Sequence, residues 1–291
     1  MCILFWTVDQ HPKYRFVFAA NRDEFLHRPT AKAHFWPPPQ SDVLAGTDLE
    51  EAATPNHNGT WLGITRTGRF AALTNYRETK YYGKRSRGEL VRDFLVDKQL
   101  SAHDYMEQVQ QRADAYGGFS LICINLSAIQ VGSKEMVYFS NRKADEIQEL
   151  KPGTIYGLSN SVLDEPWKKV LDGNALFKQV LESNKDTDED YLVEKLFELL
   201  CTTQTFTNDQ DLNVIFEKTK RTIFTPQFKY LKGTYGTRTS TVILVDHQGN
   251  VTFVERDWYK LKQEGDVERY VPVDHPTESG VVYRFKINSR D

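Results

Sequence analysis

A cysteine directly follows the initiator methionine of this chain, and that position allows a specific kind of chemistry. A residue as small as Cys2 permits removal of Met1, which would leave a free α-amine on the same residue as the thiol. Such an amine has an ordinary pKa of about 7.7 to 8.0 and accepts a proton near neutral pH. A thiol with its own base is an activated nucleophile. The alternative is that position 2 tolerates any small residue and that Cys2 is inert.

Polar residues at the ends of distant strands favour the interpretation of Cys2 as a nucleophile. Asn75 and Asn160 each follow a Ser or Thr and a short apolar stretch. Side-chain amides at such positions can donate hydrogen bonds to the oxyanion of a tetrahedral intermediate. Asp23 is a candidate to hold a protonated amine, and Arg238 to supply positive charge. Each asparagine alone is explained as well by a turn or a cap, but together these residues predict a catalytic site around Cys2.

Four polar residues, Asn21 to Glu24, end the second apolar run of the chain. Side chains alternate between the two faces of a strand, so Asn21 and Asp23 share one face while Arg22 and Glu24 share the other. We expect Asn21 and Asp23 to face the thiol, and Arg22 and Glu24 to brace the fold.

The elements that must position these residues are mainly strands. Residues 1–24 predict two strands around a turn, and residues 61–75 predict a hairpin that turns at Thr67-Gly68. Further strands are predicted at 119–126, 136–140, 153–160, 239–245, 251–256 and 280–287, and helices at 88–98, 101–116, 164–183 and 191–200. Residues 202–234 are expected to be irregular. Hairpins on both sides of a helical block predict one α+β domain over residues 1–291, with helices covering antiparallel sheets.

The composition argues against several classes of function. The chain has 291 residues, 40% of them hydrophobic, and a net charge of −3, which lacks the basic excess of a nucleic-acid binder. No apolar run approaches the roughly 20 residues of a transmembrane helix, and the first residues do not resemble a signal peptide. The three cysteines have no metal-binding or haem-attachment spacing. We therefore expect a cytoplasmic protein with a small-molecule ligand, no nucleic-acid partner and no metal site.

The basic and aromatic run at 76–87 is interpreted as a solvated loop in preference to a contact for phosphate or carboxylate.

The four residues Asn21 to Glu24, here called the tetrad, also carry a family resemblance. Asn-Arg-Asp-Glu at 21–24, after Met1-Cys2 and before Arg-Pro-Thr at 28–30, resembles the signature of the NRDE proteins, the transport and Golgi organisation protein two family. Segments 44–48, 59–63, 68–77 and 157–160 resemble further motifs of that family. The resemblance is dense over residues 1–100 and thinner beyond them.

This resemblance implies a four-layer αββα sandwich of the N-terminal-nucleophile hydrolase type. The cysteine branch of those enzymes contains penicillin V acylases and bile salt hydrolases, and an amidohydrolase or thioesterase of this kind requires no cofactor. The positions that match its functional residues are Cys2, Asn21, Asp23, Asn75, Asn160 and Arg238. One departure is that Ala20, and not an arginine, lies three positions before Asp23, so that Arg22 is displaced.

The resemblance further implies a role in trafficking. Members of the family are associated with haem trafficking, with mitochondria, and with Golgi and lipid homeostasis. On this interpretation the protein is a haem chaperone with haem as its transported ligand, associated with mitochondria or the Golgi. Asn21, Arg22 and Trp36 are then the candidate ligand contacts, and the thiolate of Cys2 or His34 the candidate axial ligand. Haem trafficking and cysteine hydrolysis are both open at this point.

Overall fold

The computed structural model describes residues 2–50, 59–78, 83–130, 132–143, 146–203, 211–230, 233–264 and 267–288. The strands are β1 (Ile3–Val8), β2 (Tyr14–Phe25), β3 (Thr30–Phe35), β4 (Val43–Asp48), β5 (Leu62–Thr65), β6 (Arg69–Asn75), β7 (Phe119–Asn125), β8 (Met136–Ser140), β9 (Gln148–Glu149), β10 (Ile155–Leu158), β11 (Phe228–Tyr230), β12 (Gly233–Asp246), β13 (Asn250–Asp257), β14 (Tyr259–Glu264), β15 (Val267–Pro272) and β16 (Val281–Lys286). The helices are α1 (Gly88–Val96), α2 (Ala102–Gln111), α3 (Lys168–Ser183), α4 (Glu189–Leu200) and α5 (Leu212–Thr219).

The first sheet is built around the N-terminal hairpin. β1 and β2 pair antiparallel with Ile3 opposite Asn21, which confirms the two predicted strands. The sheet has the order β10-β1-β2-β12-β13-β16, and β11 adds to β12. All of these pairs are antiparallel. The start of β1, and with it Cys2, therefore lies next to the ends of β10 and β2.

The second sheet follows the chain from β3 to β9, with each strand beside the next. Its β5–β6 hairpin is the one predicted for residues 61–75. Gly68 in the turn has φ of 82°, and a Cβ there would lie 2.4 Å from Ser127 Oγ. Glycine is the residue that adopts this conformation without strain, which explains why the turn forms at this point.

Four layers result from the packing of these sheets. An apolar cluster that includes Trp6, Phe18, Phe70 and Tyr138 fills the space between the two sheets. The residues of α1 and α2 pack on the outer face of the second sheet, and those of α3 and α4 pack on the outer face of the first. This order of helices, sheet, sheet and helices confirms the predicted αββα sandwich. The assignment of residues 1–291 to a single domain stays a prediction.

Capping residues determine where the covering helices begin. The Ser101 hydroxyl accepts a hydrogen bond from Asp104 N at 3.0 Å, as predicted. α3 begins at Lys168 and not at 164, because Pro166 disfavours helical geometry in the residue before it and Trp167 takes the cap position. Among the described residues, no helix combines the length and the apolar character needed to cross a membrane.

The segment at 202–234 was expected to be irregular, and this prediction was wrong for part of it. It contains α5, which begins after Asp211 accepts a hydrogen bond from Asn213 N at 2.8 Å, and it also contains β11. Both elements are too short to produce the periodicity that identifies longer helices and strands. Residues 204–210 lie outside the described residues.

Candidate functional site

A cavity of about 430 Å³ opens where β1, β2, β6 and β10 end, which is an ordinary size for a ligand site. Five of the nine candidate catalytic and ligand-binding residues named from the sequence line it, namely Cys2, Arg22, Asp23, Asn75 and Asn160. They come from four segments of the sequence, at the ends of β1, β2, β6 and β10. The fold therefore brings most of the predicted site together.

Cys2 is positioned through its backbone. Its carbonyl oxygen accepts a hydrogen bond from Ser159 Oγ at 2.7 Å. The carbonyl oxygen of Ser159 in turn accepts a hydrogen bond from Thr74 Oγ1 at 2.7 Å. These two bonds join the start of β1 to the ends of β10 and β6, and so to both sheets. The partly exposed Cys2 is thus held in a fixed place at the cavity wall.

Asn75 and Asn160 lie side by side but are placed differently. Asn160 Nδ2 donates to the Asn75 carbonyl at 2.7 Å, and the Asn160 carbonyl accepts from Arg77 N at 3.0 Å. The exposed side chain of Asn75 has no hydrogen-bond partner within the described part of the chain. The Asn75 amide is therefore available to donate to an oxygen of a ligand, whereas Asn160 also holds the end of β6.

Asp23 is buried on the side of β2 that faces the helices. Its Oδ1 accepts from Thr237 Oγ1 at 2.7 Å, and its Oδ2 accepts from Thr225 Oγ1 at 3.0 Å. Tyr235 donates its hydroxyl to the Asp23 carbonyl at 3.0 Å. Donated hydrogen bonds to both oxygens fix the orientation of a carboxylate. This arrangement suits Asp23 to hold a cation at the floor of the cavity.

Arg22 lies across from Cys2. The pairing of Ile3 with Asn21, extended by one residue, sets Cys2 opposite Arg22 on the face between the sheets. The Arg22 guanidinium lies 4.2 Å from the centre of the Trp61 ring, and its Nη2 is 3.6 Å from Glu24 Oε2. Its Nη1 is buried and has no hydrogen-bond partner among the described residues. The displaced arginine of the signature is thus still a neighbour of the thiol.

Asn21 and Trp36 lie elsewhere. Asn21 Nδ2 donates to the carbonyl oxygens of Leu200 and Ile223 at 2.8 and 3.0 Å, and its Oδ1 accepts from Ser240 Oγ. We expected Asn21 and Asp23 to face the thiol, but both lie on the helix side of β2, and the polar atoms of Asn21 tie β2 to the end of α4. Trp36 is buried beneath α1 and donates to the Ala45 carbonyl at 3.2 Å. Neither residue lines the cavity in which Cys2 lies.

Arg238 lies in a neighbouring depression with Arg28, Tyr259 and Tyr270. It occupies a break in the pairing of β12 with β2, where Thr237 pairs with Asp23 and Thr239 with Arg22. The extra residue of such a bulge leaves the regular alternation of side chains. Burial, followed by the nearby Arg22 cation, lowers the pKa of Arg238. Its positive charge thus acts near Arg22 and not directly in the cavity.

The cavity wall contains further charged residues. Arg28 pairs through Nη2 with Asp48 Oδ2 at 2.9 Å. Arg77 stacks 3.9 Å from the centre of the Phe216 ring, and burial lowers the pKa of Arg77. Arg87 donates to the Gly118 carbonyl at 3.1 Å. The wall therefore suits a ligand with polar or anionic groups.

The comparisons with known proteins agree with the signature. The family model described as Transport and Golgi organisation 2 matches residues 1–260. The chain belongs to this family. It is 40% identical over 266 residues to the Transport and Golgi organization protein 2 homolog of Bos taurus, covering 88% of this chain and 92% of that protein. It is 37% identical over 264 residues to the Homo sapiens homolog, with the same coverage of each chain. The family predicted from residues 21–24 is confirmed.

Solved structures that resemble this one include two hydrolases. The Caenorhabditis elegans N-acylethanolamine-hydrolyzing acid amidase ortholog aligns with a TM-score of 0.45 and 16% identity, covering 84% of this chain and 92% of that chain. Penicillin V acylase from Agrobacterium tumefaciens aligns with a TM-score of 0.46 and 11% identity, covering 98% and 91%.

Several residues of the site were not predicted from the sequence. Arg77 and Arg87 line the cavity, so the interpretation of residues 76–87 as a solvated loop was wrong for these two residues; residues 79–82 lie outside the described residues. Their mixture of arginine and tyrosine was the available signal. Ser159 and Thr74 were visible as the residues before the two asparagines, but a hydrogen bond to the backbone of Cys2 leaves no trace in local sequence. Trp61 gave no signal, because its contact with Arg22 depends on how the sheets face each other.

Residues suited to a metal ion occur away from the cavity. His103, Asp104 and Glu107 bring their ligand atoms within 4.8 Å of one another at the start of α2. His103 Nδ1 lies 3.8 Å from Glu107 Oε1, so these groups also contact each other. The absence of a metal site stays a prediction.

Proposed function

We propose that this chain is a cysteine hydrolase that uses Cys2 to cleave a small amide or thioester. One observation carries the proposal: Cys2, Asp23, Asn75 and Asn160 line a single cavity. The residue type and position of each in the sequence already indicate a catalytic role. A local role in a turn or a cap can account for each asparagine alone. Such roles do not explain why residues from distant segments line one cavity.

The nucleophile acts after Met1 is removed. The α-amine of Cys2 takes the proton of the thiol, and the thiolate attacks the carbonyl carbon of the substrate. Asp23, oriented by Thr225 and Thr237, holds the resulting ammonium group. The hydrogen bond from Ser159 to the Cys2 carbonyl keeps the sulfur in place during attack.

The oxyanion forms next to Asn75, whose amide donates to it. Collapse of the tetrahedral intermediate breaks the carbon–nitrogen or carbon–sulfur bond, and the leaving group takes the proton from the ammonium. An acyl group is then bonded to the Cys2 sulfur. A water molecule, deprotonated by the same amine, attacks this acyl group, releases a carboxylic acid and restores the thiol.

An acylating probe tests this proposal. The chain is incubated with a small β-lactone at pH 7, and the modified cysteine is identified by mass spectrometry of its peptides. We expect labelling at Cys2, loss of that label in Cys2→Ala, and slower labelling in Asp23→Asn. Cys201→Ala is the matched control, because Cys201 is exposed and lies outside the cavity. Labelling at Cys2 that is no faster than at Cys201, or that is unchanged in Asp23→Asn, would refute the proposal.

A second candidate function is the haem-trafficking role implied by the family resemblance, with its links to lipid and Golgi homeostasis. Two observations favour it: the cavity wall includes a thiol and the tyrosines Tyr230 and Tyr235, which are ligand types that haem iron takes, and it includes arginines that can pair with propionates. His34, the other candidate ligand, does not line this cavity, and its Nδ1 contacts the Lys32 carbonyl at 2.8 Å. Association with mitochondria or the Golgi belongs to this candidate as well.

Titration with haem distinguishes the two functions. A haem carrier binds one equivalent at micromolar concentration with a saturable change in the Soret band, and Cys2→Ala alters that band. Trp36→Phe is the control that leaves binding intact. Absorbance that rises without saturation, together with acylation of Cys2, would exclude the haem role and leave the hydrolase.

A further inference from the structure

Lys169 is a fully buried lysine that the chemistry described above does not use. It lies in the first turn of α3, after the cap residue Trp167. Its neighbour Lys168 is exposed and pairs with Asp172 at 2.8 Å. A lysine amine is costly to bury unless negative groups surround it. The position of Lys169 therefore calls for a negative partner inside the protein.

The packing of α3 places its first turn near the end of β2 that carries Asp23. α3 lies so close to β1 that a Cβ on Gly173 would lie 2.2 Å from the Phe5 ring. The backbone N–H of Lys169 donates to the Lys220 carbonyl at 3.1 Å. Five residues further along, Thr225 donates to Asp23. The segment from 220 to 225 thus joins the start of α3 to the buried carboxylate.

The charges around Lys169 agree with this placement. Burial has the largest effect and lowers the pKa of Lys169 overall, while the negative charges of Asp23 and then of Cys2 offset part of this decrease. The Lys169 amine also lies 5.8 Å from the centre of the Trp167 ring. Asp23 and Cys2, two residues of the proposed site, are therefore the ionisable groups that act on this amine.

We propose that Lys169 is a positioning residue of the Cys2 site: its buried ammonium balances the Asp23 carboxylate and favours the thiolate of Cys2. This role rests on Cys2 being the nucleophile proposed above. It gives the site a second cation on the helix side of the first sheet, while Arg22 lies on the opposite face. Without Lys169, the buried negative charge of Asp23 would oppose a thiolate beside it.

Alkylation of Cys2 by iodoacetamide measures this effect without any substrate turnover. The rate is followed from pH 5 to pH 10 in a Cys201→Ala background, on protein whose intact mass shows removal of Met1. We expect Lys169→Met to lower the rate at pH 7 about tenfold, since an opposite charge nearby favours ionisation. The rate at pH 10, where the thiolate predominates in either protein, stays unchanged. Lys169→Arg restores the rate at pH 7, and Lys168→Met is the exposed control that matches wild type.

The remaining ionisable groups around Cys2 are the same in all variants. They include the α-amine of Cys2 itself, Arg22, Asp23 and Glu24 on β2, Arg77 and Glu78 after β6, and Tyr235 on β12. Burial raises the pKa of Tyr235 well above its ordinary value, so Tyr235 stays neutral over the tested range. A change in the pH profile therefore reports on the residue that was replaced.

Two results would overturn the role of Lys169. The first is a profile for folded Lys169→Met that superimposes on wild type, and the second is a rate lowered equally at all pH values, which would indicate a change in access to the thiol. If circular dichroism shows that Lys169→Met is unfolded, Lys169→Gln is measured in its place. If Lys169→Met lowers the rate of alkylation at pH 7 as expected but the β-lactone does not acylate Cys2, the hydrolase proposal is refuted and the role of Lys169 is not.

Discussion

Replacing Glu255 by glutamine is expected to stabilise this protein above pH 7 and to leave it unchanged in acid. Glu255 on β13 is buried, and its Oε1 accepts the Ala33 N–H at 2.9 Å. Burial is the largest cause that raises the pKa of this carboxyl from 4.5 to about 7. The folded protein therefore keeps the proton of Glu255 between about pH 4.5 and pH 7, where the unfolded chain releases it.

The sign and size of the effect follow from this difference in proton binding. Because the folded state binds more protons in this window, stability falls as pH rises through it. The difference between 4.5 and about 7, at about 1.4 kcal/mol per pH unit, amounts to about 3 kcal/mol. Glutamine keeps the acceptor for Ala33 and never ionises. Glu255→Gln should thus equal wild type near pH 4 and exceed it by about 3 kcal/mol at pH 8.

Urea denaturation at pH 4, 6 and 8 measures this difference, with the free energy of unfolding taken from the linear dependence on urea. Glu182→Gln is the control, because Glu182 is more than half exposed and pairs loosely with Lys178 at 3.8 Å. A stability difference between Glu255→Gln and wild type that is the same at pH 4 and pH 8 would refute the reasoning.

Two further predictions concern the support of the site. Ser159→Ala removes the hydrogen bond to the Cys2 carbonyl, so we expect a loss of about 1 kcal/mol in stability and slower labelling of Cys2. Labelling at the wild-type rate would show that this bond does not position the sulfur. Gly173→Ala places a Cβ 2.2 Å from the Phe5 ring, so thermal unfolding should reveal a destabilisation of about 1 to 3 kcal/mol; an unchanged melting temperature would contradict the close packing of α3 on β1.

The sequence was sufficient to predict the hairpins and the long helices, because their patterns are local. The alternation of β1 and β2 and the turn at Gly68 depend on neighbouring residues only. The cap at Ser101 is likewise a local signal. The four-layer arrangement was predicted from the resemblance of the signature at 21–24 to that of a known family. These features could be predicted without knowing how distant segments pack.

The orientation of the tetrad could not be predicted in the same way. Asn21 bonds to Leu200 and Ile223, which are 179 and 202 residues away in the sequence. The bulge at Arg238 turns that side chain out of the cavity. A bulge adds one residue to a strand without a characteristic sequence. The expectation that Asn21 and Asp23 face Cys2 and that Arg22 only braces the fold therefore failed, because both parts depend on register and on the layer that each face meets.

The most direct test of the proposed chemistry is the intact mass of the chain after brief incubation with a small acyl thioester at pH 7. The proposal predicts a mass that lacks Met1 and carries one acyl group, with the acyl group on Cys2 and lost over time as water hydrolyses it. A chain that retains Met1, or an acyl group found on Cys201 and not on Cys2, would contradict the proposal that Cys2 is a nucleophile activated by its own amine.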